Sequence, residues 1–198
     1  VGPFLDLIMF KALTSGRINR KATGINRGAV SIGTVAVNLI EESLGSLDGR
    51  PVGIVGAGET ATLLGKYLIH EKRPELFVSN RTPKRGEVLT KLLGGRVIPL
   101  EAVSKLLSNV DAVFVATSAP HPVITREIIE AATESRSERE IFVVDLSQPR
   151  NVHESVGLFP GVTLYNIDDL RWVSRRNLDA RLEAAKATEA LILVELES

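Results

Sequence analysis

Gly56-Ala57-Gly58-Glu59-Thr60-Ala61 follows an apolar run containing Val52, Ile54 and Val55, and leads into a helical pattern from Thr60 to His70. A strand, a tight glycine turn and a helix in that order can hold a dinucleotide. The first N–H groups of a helix have no intrahelical partner, and the helix dipole adds partial positive charge there. A pyrophosphate can therefore rest on the helix end if no side chain stands in the way. Gly56 permits the turn, Gly58 lets the main chain approach the pyrophosphate, and Ala61 is small enough for close packing of helix on strand. Glu59 reads as a first-turn residue stabilised by the dipole rather than as a catalytic acid. The same stretch, taken alone, is also compatible with a turn that holds nothing.

A second constellation lies about twenty residues on. Leu76-Phe77-Val78-Ser79 reads as a strand ending in Asn80-Arg81-Thr82. An Asp or Glu at such a tip holds the free ribose 2′-hydroxyl of NAD, whereas an Arg accommodates a 2′-phosphate. Here there is no acid, and Arg81, Lys84 and Arg85 cluster with the hydroxyls of Ser79 and Thr82. The expected cofactor is NADP. A solvated basic turn is the alternative, but basic groups at a helix start oppose the dipole, which favours a bound anion. A third stretch, Thr117-Ser118-Ala119-Pro120-His121-Pro122, follows an apolar strand. Its small residues would let a nicotinamide lie close to the backbone, with Thr117 and Ser118 offering hydroxyls to ribose; a plain turn with two prolines explains the same letters.

These residues need a scaffold. Strands are expected at Pro51–Val55, Leu76–Asn80, Arg96–Ile98, Asp111–Ala116, Ile141–Val144 and Val162–Tyr165. Helices are expected from Thr60 to about Glu71 and over Pro83–Leu93, Leu100–Leu107 and Thr125–Thr133. Strands alternating with helices imply an α/β fold, a Rossmann-like doubly wound parallel sheet whose ligands sit at the carboxyl ends of the strands. Asp111–Ala116, apolar throughout its middle, should be buried on both faces. An N-terminal helical segment precedes this unit. Phe4–Leu13 carries Leu5, Ile8, Met9 and Ala12 at helical spacing, and in Ala29–Leu44 the residues Val30, Ala36, Val37, Ile40 and Leu44 share one face. From Asp168 the chain reads as one long helix, capped by Asp168 or Asp169, with Leu170, Val173, Leu178, Leu182, Ala185, Ile192 and Leu196 recurring along it. About thirty residues of helix reach roughly 45 Å, longer than a small domain, so part of the stripe should need a partner chain or a further domain. The division expected is a connecting segment over 1–46, a nucleotide-binding domain over 47–167, and the start of a long helix over 168–198.

Composition sets outer bounds. The 198 residues are 44% hydrophobic with a formal net charge of zero, enough for a real core and without an overall bias toward nucleic acid or membrane. No apolar run reaches the roughly 18 residues of a membrane span, and no signal peptide is evident, so a cytoplasmic setting is expected. Cysteine is absent, which excludes disulfides, thiolate metal sites and cysteine nucleophiles within these residues. His70, His121 and His153 are not spaced for a metal and read as surface or turn residues. Two basic stretches, Arg17, Arg20, Lys21 and Arg27, and Arg171, Arg175, Arg176 and Arg181, read as solvated faces. Both ends of the chain look cut.

Six segments in order carry a resemblance: Gly24–Gly33, Gly56–Glu59, Asn80–Thr82, Thr117–Ile124, Asp145–Arg150 and Tyr165–Leu170. Together they resemble the glutamyl-tRNA reductase family over nearly the whole chain. The resemblance implies NADPH-dependent reduction of glutamyl-tRNA to glutamate 1-semialdehyde, the entry to tetrapyrrole and porphyrin synthesis from glutamate. In that family a cysteine of an N-terminal catalytic domain forms a thioester that accepts hydride, chemistry suited to a thiolate. The resemblance covers the central NADPH-binding domain, the helix before it and the start of the spinal helix after it, but not the catalytic or dimerisation domains. It implies that these residues alone are inactive, that the full-length enzyme is a homodimer, and that glutamate-1-semialdehyde aminomutase is a partner. It assigns the pyrophosphate to Gly56, Ala57, Gly58, Glu59, Thr60 and Ala61, the adenosine ribose and its phosphate to Ser79, Asn80, Arg81 and Thr82, and the nicotinamide side to Thr117, Ser118 and Ala119. A shikimate-type dehydrogenase domain, with a similar Asn-Arg-Thr turn, and a stand-alone NADP-binding interaction module are the alternatives.

Overall fold

The computed structural model describes residues 2, 5–6, 9–11, 14, 32–136, 139–173 and 175. The chain divides into two compact units, Ser31–Arg171 and a second made of Val1–Val30 with Trp172–Ser198. In the second unit the described residues Leu5, Asp6, Met9, Phe10, Lys11 and Thr14 are helical. Leu5, Met9 and Phe10 are exposed there. Most of the stripe expected along the terminal helix, from Leu178 to Leu196, and the basic stretch from Arg17 to Arg27 lie outside the described residues.

The first unit is built on six parallel strands: β1 (Pro51–Val55), β2 (Glu75–Asn80), β3 (Arg96–Pro99), β4 (Ala112–Val115), β5 (Ile141–Asp145) and β6 (Val162–Asn166). Their spatial order is β3-β2-β1-β4-β5-β6. Every neighbouring pair is parallel, with Val55 opposite Ser79 on one side and Val115 on the other. This is the doubly wound order, and it reverses direction between β1 and β4, where a crevice opens at the carboxyl ends. The helices are α1 (Ile32–Leu44), α2 (Glu59–Tyr67), α3 (Pro83–Leu93), α4 (Val103–Asn109) and α5 (Arg126–Thr133). The expected α/β class and the parallel sheet are those observed.

The sheet is covered on both faces because its strands carry apolar residues on both. Val55, Val113, Val115, Ile141 and Val143 pack with Val103, Leu106 and Leu107 of α4 and Ile129 and Ala132 of α5 in one buried cluster. On the other face Gly65 of α2 sits near Ile54, where an added Cβ would lie 3.4 Å from the Ile54 side chain and 2.2 Å from Leu93. β4 is buried at all four positions, as its composition requires.

Helix α1 falls within the Ser31–Arg171 unit. Val35, Ala36, Val37 and Ile40 of α1 are 0–1% exposed, and burying them on the sheet unit is worth more than a solvated link would retain. Its polar face is tied down as well. Lys72 forms an ion pair with Glu41 at 2.5 Å. The Tyr67 hydroxyl reaches Asn38 at 3.5 Å. The Glu41 partner holds the Lys72 amine above its ordinary pKa.

Three boundaries differ from the sequence reading for local reasons. After Tyr67 the helix widens into a π-turn over Leu68–Lys72, and the Arg73 amide bonds back to Leu68 at 2.9 Å. Leu100–Ala102 is a 3-10 turn before α4 begins. The terminal helix is capped by Asn166 and not by Asp168 or Asp169. Asn166 Oδ1 accepts from the Asp168 amide at 2.8 Å, while Asp169 Oδ2 accepts from the Asn166 amide at 2.9 Å. That reciprocal pair is a capping box two residues upstream of Asp168, with Asp in the place of Glu. Asp168 is used instead in an ion pair with Arg150 at 3.0 Å.

Candidate functional site

A cleft of about 650 Å³ opens at the carboxyl ends of the central strands. Its floor is the turn between β1 and α2. Gly56 has φ +119°, and a Cβ there would lie 2.1 Å from the Ala116 carbonyl oxygen. Its N–H donates to the Ser79 carbonyl at 2.7 Å, so one glycine joins the ends of three strands. Gly58 is the N-cap of α2, extended at φ −85°, and no side chain caps the helix. A Cβ on Gly58 would meet nothing within 4 Å. The open end of α2, with its unpaired donors and positive dipole, therefore faces the cleft without obstruction. Gly56, Ala57, Gly58, Glu59 and Thr60 all line it. Ala61 does not; it is fully buried on the side of α2 that packs on the sheet, as its small size suggests.

The second wall is the tip of β2. Asn80, Arg81, Thr82 and Arg85 line the cleft. The Asn80 amide donates to the Thr82 carbonyl at 2.9 Å, which closes the tip turn and leaves the following side chains outward. Arg81 and Arg85 are exposed and form no ion pair among the described residues. Two guanidinium groups without carboxylates, beside a tip without an acid, suit a dianion. Lys84 is exposed but is not part of the wall. Ser79 is not part of it either. It lies within β2 between Val55 and Ile98, is fully buried, and its hydroxyl has no partner. Ser79 is still within the covered sheet whereas Arg81 lies beyond the last residue of β2, so the two do not join as the letters suggested.

The third wall is the loop after β4. Thr117, Ser118 and Ala119 line the cleft, followed by Pro120, His121 and Pro122. The Thr117 hydroxyl accepts from the Ala119 amide at 2.9 Å. The Thr117 amide in turn donates to Ser147 Oγ at 3.2 Å. Thr117 is thus occupied in shaping its own loop as well as facing the cleft.

Asp145, the last residue of β5, holds the neighbouring loop. Its carboxylate is 2% exposed and accepts three backbone N–H bonds, from Ser147 at 2.9 Å, Asn151 at 2.7 Å and Val152 at 2.9 Å. Ser147 and Gln148 reach the cleft from this loop, with Leu100, Leu146 and Ile167 supplying apolar surface. These residues carry no periodic signal. The Asp-Leu-Ser-Gln-Pro-Arg run was legible as a motif, but its role is set by a tertiary contact between two loops. Of the three histidines, His121 lines the cleft, whereas His70 bonds Glu71 and His153 accepts from the Ser155 amide. No cluster of three or more potential metal ligands occurs among the described residues.

A family model described as shikimate/quinate 5-dehydrogenase matches residues 38–173. The chain belongs to that family. Similar proteins carry a different description from that of the family model. A glutamyl-tRNA reductase of Methanosarcina barkeri is 42% identical over 197 residues, 99% of this chain and 44% of the relative. The structure of glutamyl-tRNA reductase from Methanopyrus kandleri superposes with a TM-score of 0.92 at 37% identity, covering 100% of this chain and 50% of that one. The nucleotide-binding domain of the glutamyl-tRNA reductase of Thermoplasma volcanium has the same fold, with a TM-score of 0.59 at 18% identity over 79% of this chain and 99% of that one. The chain spans less than half the length of the curated relatives it matches. The six motifs thus resemble the family to which its homologues belong, and the homology extends on both sides of residues 38–173.

Proposed function

We propose that the cleft binds NADPH and that this chain is the cofactor-binding portion of an oxidoreductase, glutamyl-tRNA reductase. The observation that carries the reading is the pairing of an unobstructed helix end at Gly58 with free guanidinium groups at Arg81 and Arg85. The donor set fits the group. The N–H groups of Glu59, Thr60 and Ala61 at the start of α2 would hold the pyrophosphate, Arg81 and Arg85 the 2′-phosphate, Asn80 and Thr82 the adenosine ribose, and Thr117–Ala119 the nicotinamide side. Bound NADPH supplies a hydride from its nicotinamide ring. The chain's own residues bind it, fix its orientation, and through Pro120, Pro122, Leu146 and Ile167 exclude water from the reacting end.

These residues contain no cysteine, so a thiolate that takes the glutamyl group must come from outside them. In this reading residues 47–167 are the functional cofactor domain, α1 is its packed flank, and the helix from residue 167 leads toward a dimer interface. Glutamyl-tRNA as substrate, a homodimer, an aminomutase acting on the aldehyde product, a place in porphyrin synthesis and a cytoplasmic setting complete the proposal. Among the described residues no helix is long and apolar enough to cross a membrane, which is compatible with that setting.

A shikimate-type dehydrogenase is the second reading, favoured by the description of the family model. Assay of the protein encoded by the complete reading frame separates the two. NADPH-dependent release of glutamate 1-semialdehyde from glutamyl-tRNA is expected. NADP-dependent oxidation of shikimate, with no turnover of glutamyl-tRNA, would replace the first reading with the second.

A further inference from the structure

Asn151 sits beneath the cleft and does not line it, yet it joins the two loops that form the wall beyond the switch point. It is fully buried. Its side-chain amide donates to two carbonyls of the β4 loop, Ala119 O at 2.8 Å and His121 O at 3.2 Å. Its own backbone carbonyl accepts from Val123 at 2.8 Å and Ile124 at 3.1 Å. Its backbone N–H is held by Asp145 at 2.7 Å. One residue thus anchors the segment from Ala119 to Ile124 at four points and is itself anchored to the end of β5.

The chemistry of the side chain is specific. Two carbonyl oxygens converge on one nitrogen, so only the NH2 end of the amide can face them; the oxygen end would oppose two acceptors. Asn151 Oδ1 points the other way and has no partner, although it is buried. A buried acceptor left unpaired is unfavourable by itself. Filling the space would not require that arrangement, and an apolar residue of similar size would avoid it. What the amide alone supplies is the double donation that fixes the loop.

We propose that Asn151 is a positioning residue for the nicotinamide half of the cofactor, acting through the main chain of Ala119 and His121. The inference rests on the cleft being the NADPH site. Without the double donation the loop from Thr117 to Pro122 samples other conformations, and the affinity for a ligand that needs the bound shape falls by the fraction of molecules that keep it. In the proposed arrangement the adenosine half is held at α2 and at the tip of β2, on the other side of the cleft from that loop.

The test compares two ligands on the purified protein: NADPH, which fills the whole cleft, and adenosine 2′,5′-bisphosphate, which reaches only the β1 and β2 side. Asn151→Ala is expected to weaken NADPH by about tenfold or more, as for a loop competent in a tenth of molecules, and to leave the bisphosphate within about twofold. Asn151→Asp, nearly isosteric, is expected to weaken NADPH at least as much at neutral pH, because a carboxylate faces two carbonyls where the amide donated. Retained bisphosphate binding reports that each variant is folded. Should Asn151→Ala fail to fold, Asn151→Ser, whose hydroxyl is too short to reach both carbonyls, carries the same comparison. Equal loss of both ligands, or none of either, overturns the positioning role while leaving the cofactor reading intact. Wild-type protein that binds neither ligand overturns the cofactor reading and this inference with it.

Discussion

Replacing Asp145 by Asn changes almost no volume and should nonetheless be among the most damaging substitutions in the unit. The carboxylate accepts from Asn151 and Val152 on Oδ2, at 2.7 and 2.9 Å, and from Ser147 on Oδ1, at 2.9 Å. An asparagine can put its single oxygen where Oδ2 stands and keep two of these bonds, now to a neutral acceptor. Its NH2 group then confronts the Ser147 N–H, donor against donor, and that bond is lost. A bond to a charged acceptor is worth about 1.5–3 kcal/mol, and neutralising the acceptor of the other two removes roughly 0.5–1 kcal/mol from each. The sum is about 2.5–5 kcal/mol, a large share of the stability of a small domain. Urea unfolding monitored by circular dichroism measures it, and native-state amide exchange locates it. The expected pattern is faster exchange at Ser147, Asn151 and Val152, with smaller changes in β1 and β2. A loss below about 1 kcal/mol, or acceleration spread evenly over the sheet, would refute the view that this carboxylate holds the loop.

Three further outcomes follow from the packing. Gly56→Ala forces a Cβ against the Ala116 carbonyl at a φ of +119° and should cost more than about 3 kcal/mol, whereas Gly58→Ala, whose Cβ meets open space, should leave the melting temperature within about 2 °C while weakening NADPH binding; calorimetry with and without cofactor distinguishes the two. Arg136, 3% exposed, donates to the carbonyls of Val110 at 2.7 Å and Glu140 at 2.6 Å, as well as to those of Leu107 and Arg139. Burial holds this guanidinium below its ordinary pKa, but it stays charged, and Arg136→Met should cost about 2–4 kcal/mol in urea unfolding by stranding those carbonyls. Lys72 is raised above its ordinary 10.5 by the hydrogen bond it donates to Glu41, so its contribution is complete below that pH and is lost as pH rises through the folded value. Unfolding at pH 8 and pH 11 should show that loss in the wild type, and a smaller pH-dependent difference in Lys72→Met.

Much of the scaffold was legible because its signals are local. Apolar runs between turn residues marked all six strands, and Pro83 with Gly94 bounded α3 at both ends. The glycine turn and the basic tip of β2 were readable for the same reason: a positive φ and an unpaired guanidinium leave traces in residue type. What escaped was set by distance in space. Ser79 looked like a neighbour of Arg81, but Ser79 is buried within β2 and Arg81 lies past its end, so only the second leaves the sheet. Asn166 captured the helix start from Asp168 and Asp169 because Asp169 serves its reciprocal bond and Asp168 pairs with Arg150. Ser147, Gln148 and Ile167 entered the cleft wall, and Asn151 its support, through contacts between loops that no periodicity announces.

The central claim is that a guanidinium at the tip of β2 grips a 2′-phosphate. Calorimetric titration of the wild type and Arg81→Ala with NADPH and NADH tests it directly. Loss of a charge-assisted contact of about 1.5–3 kcal/mol predicts a fall of roughly ten- to a hundredfold in NADPH affinity, with NADH nearly unchanged and already weaker in the wild type. Equal affinity of the wild type for the two cofactors, or an Arg81→Ala variant that keeps its preference for NADPH, would contradict the account.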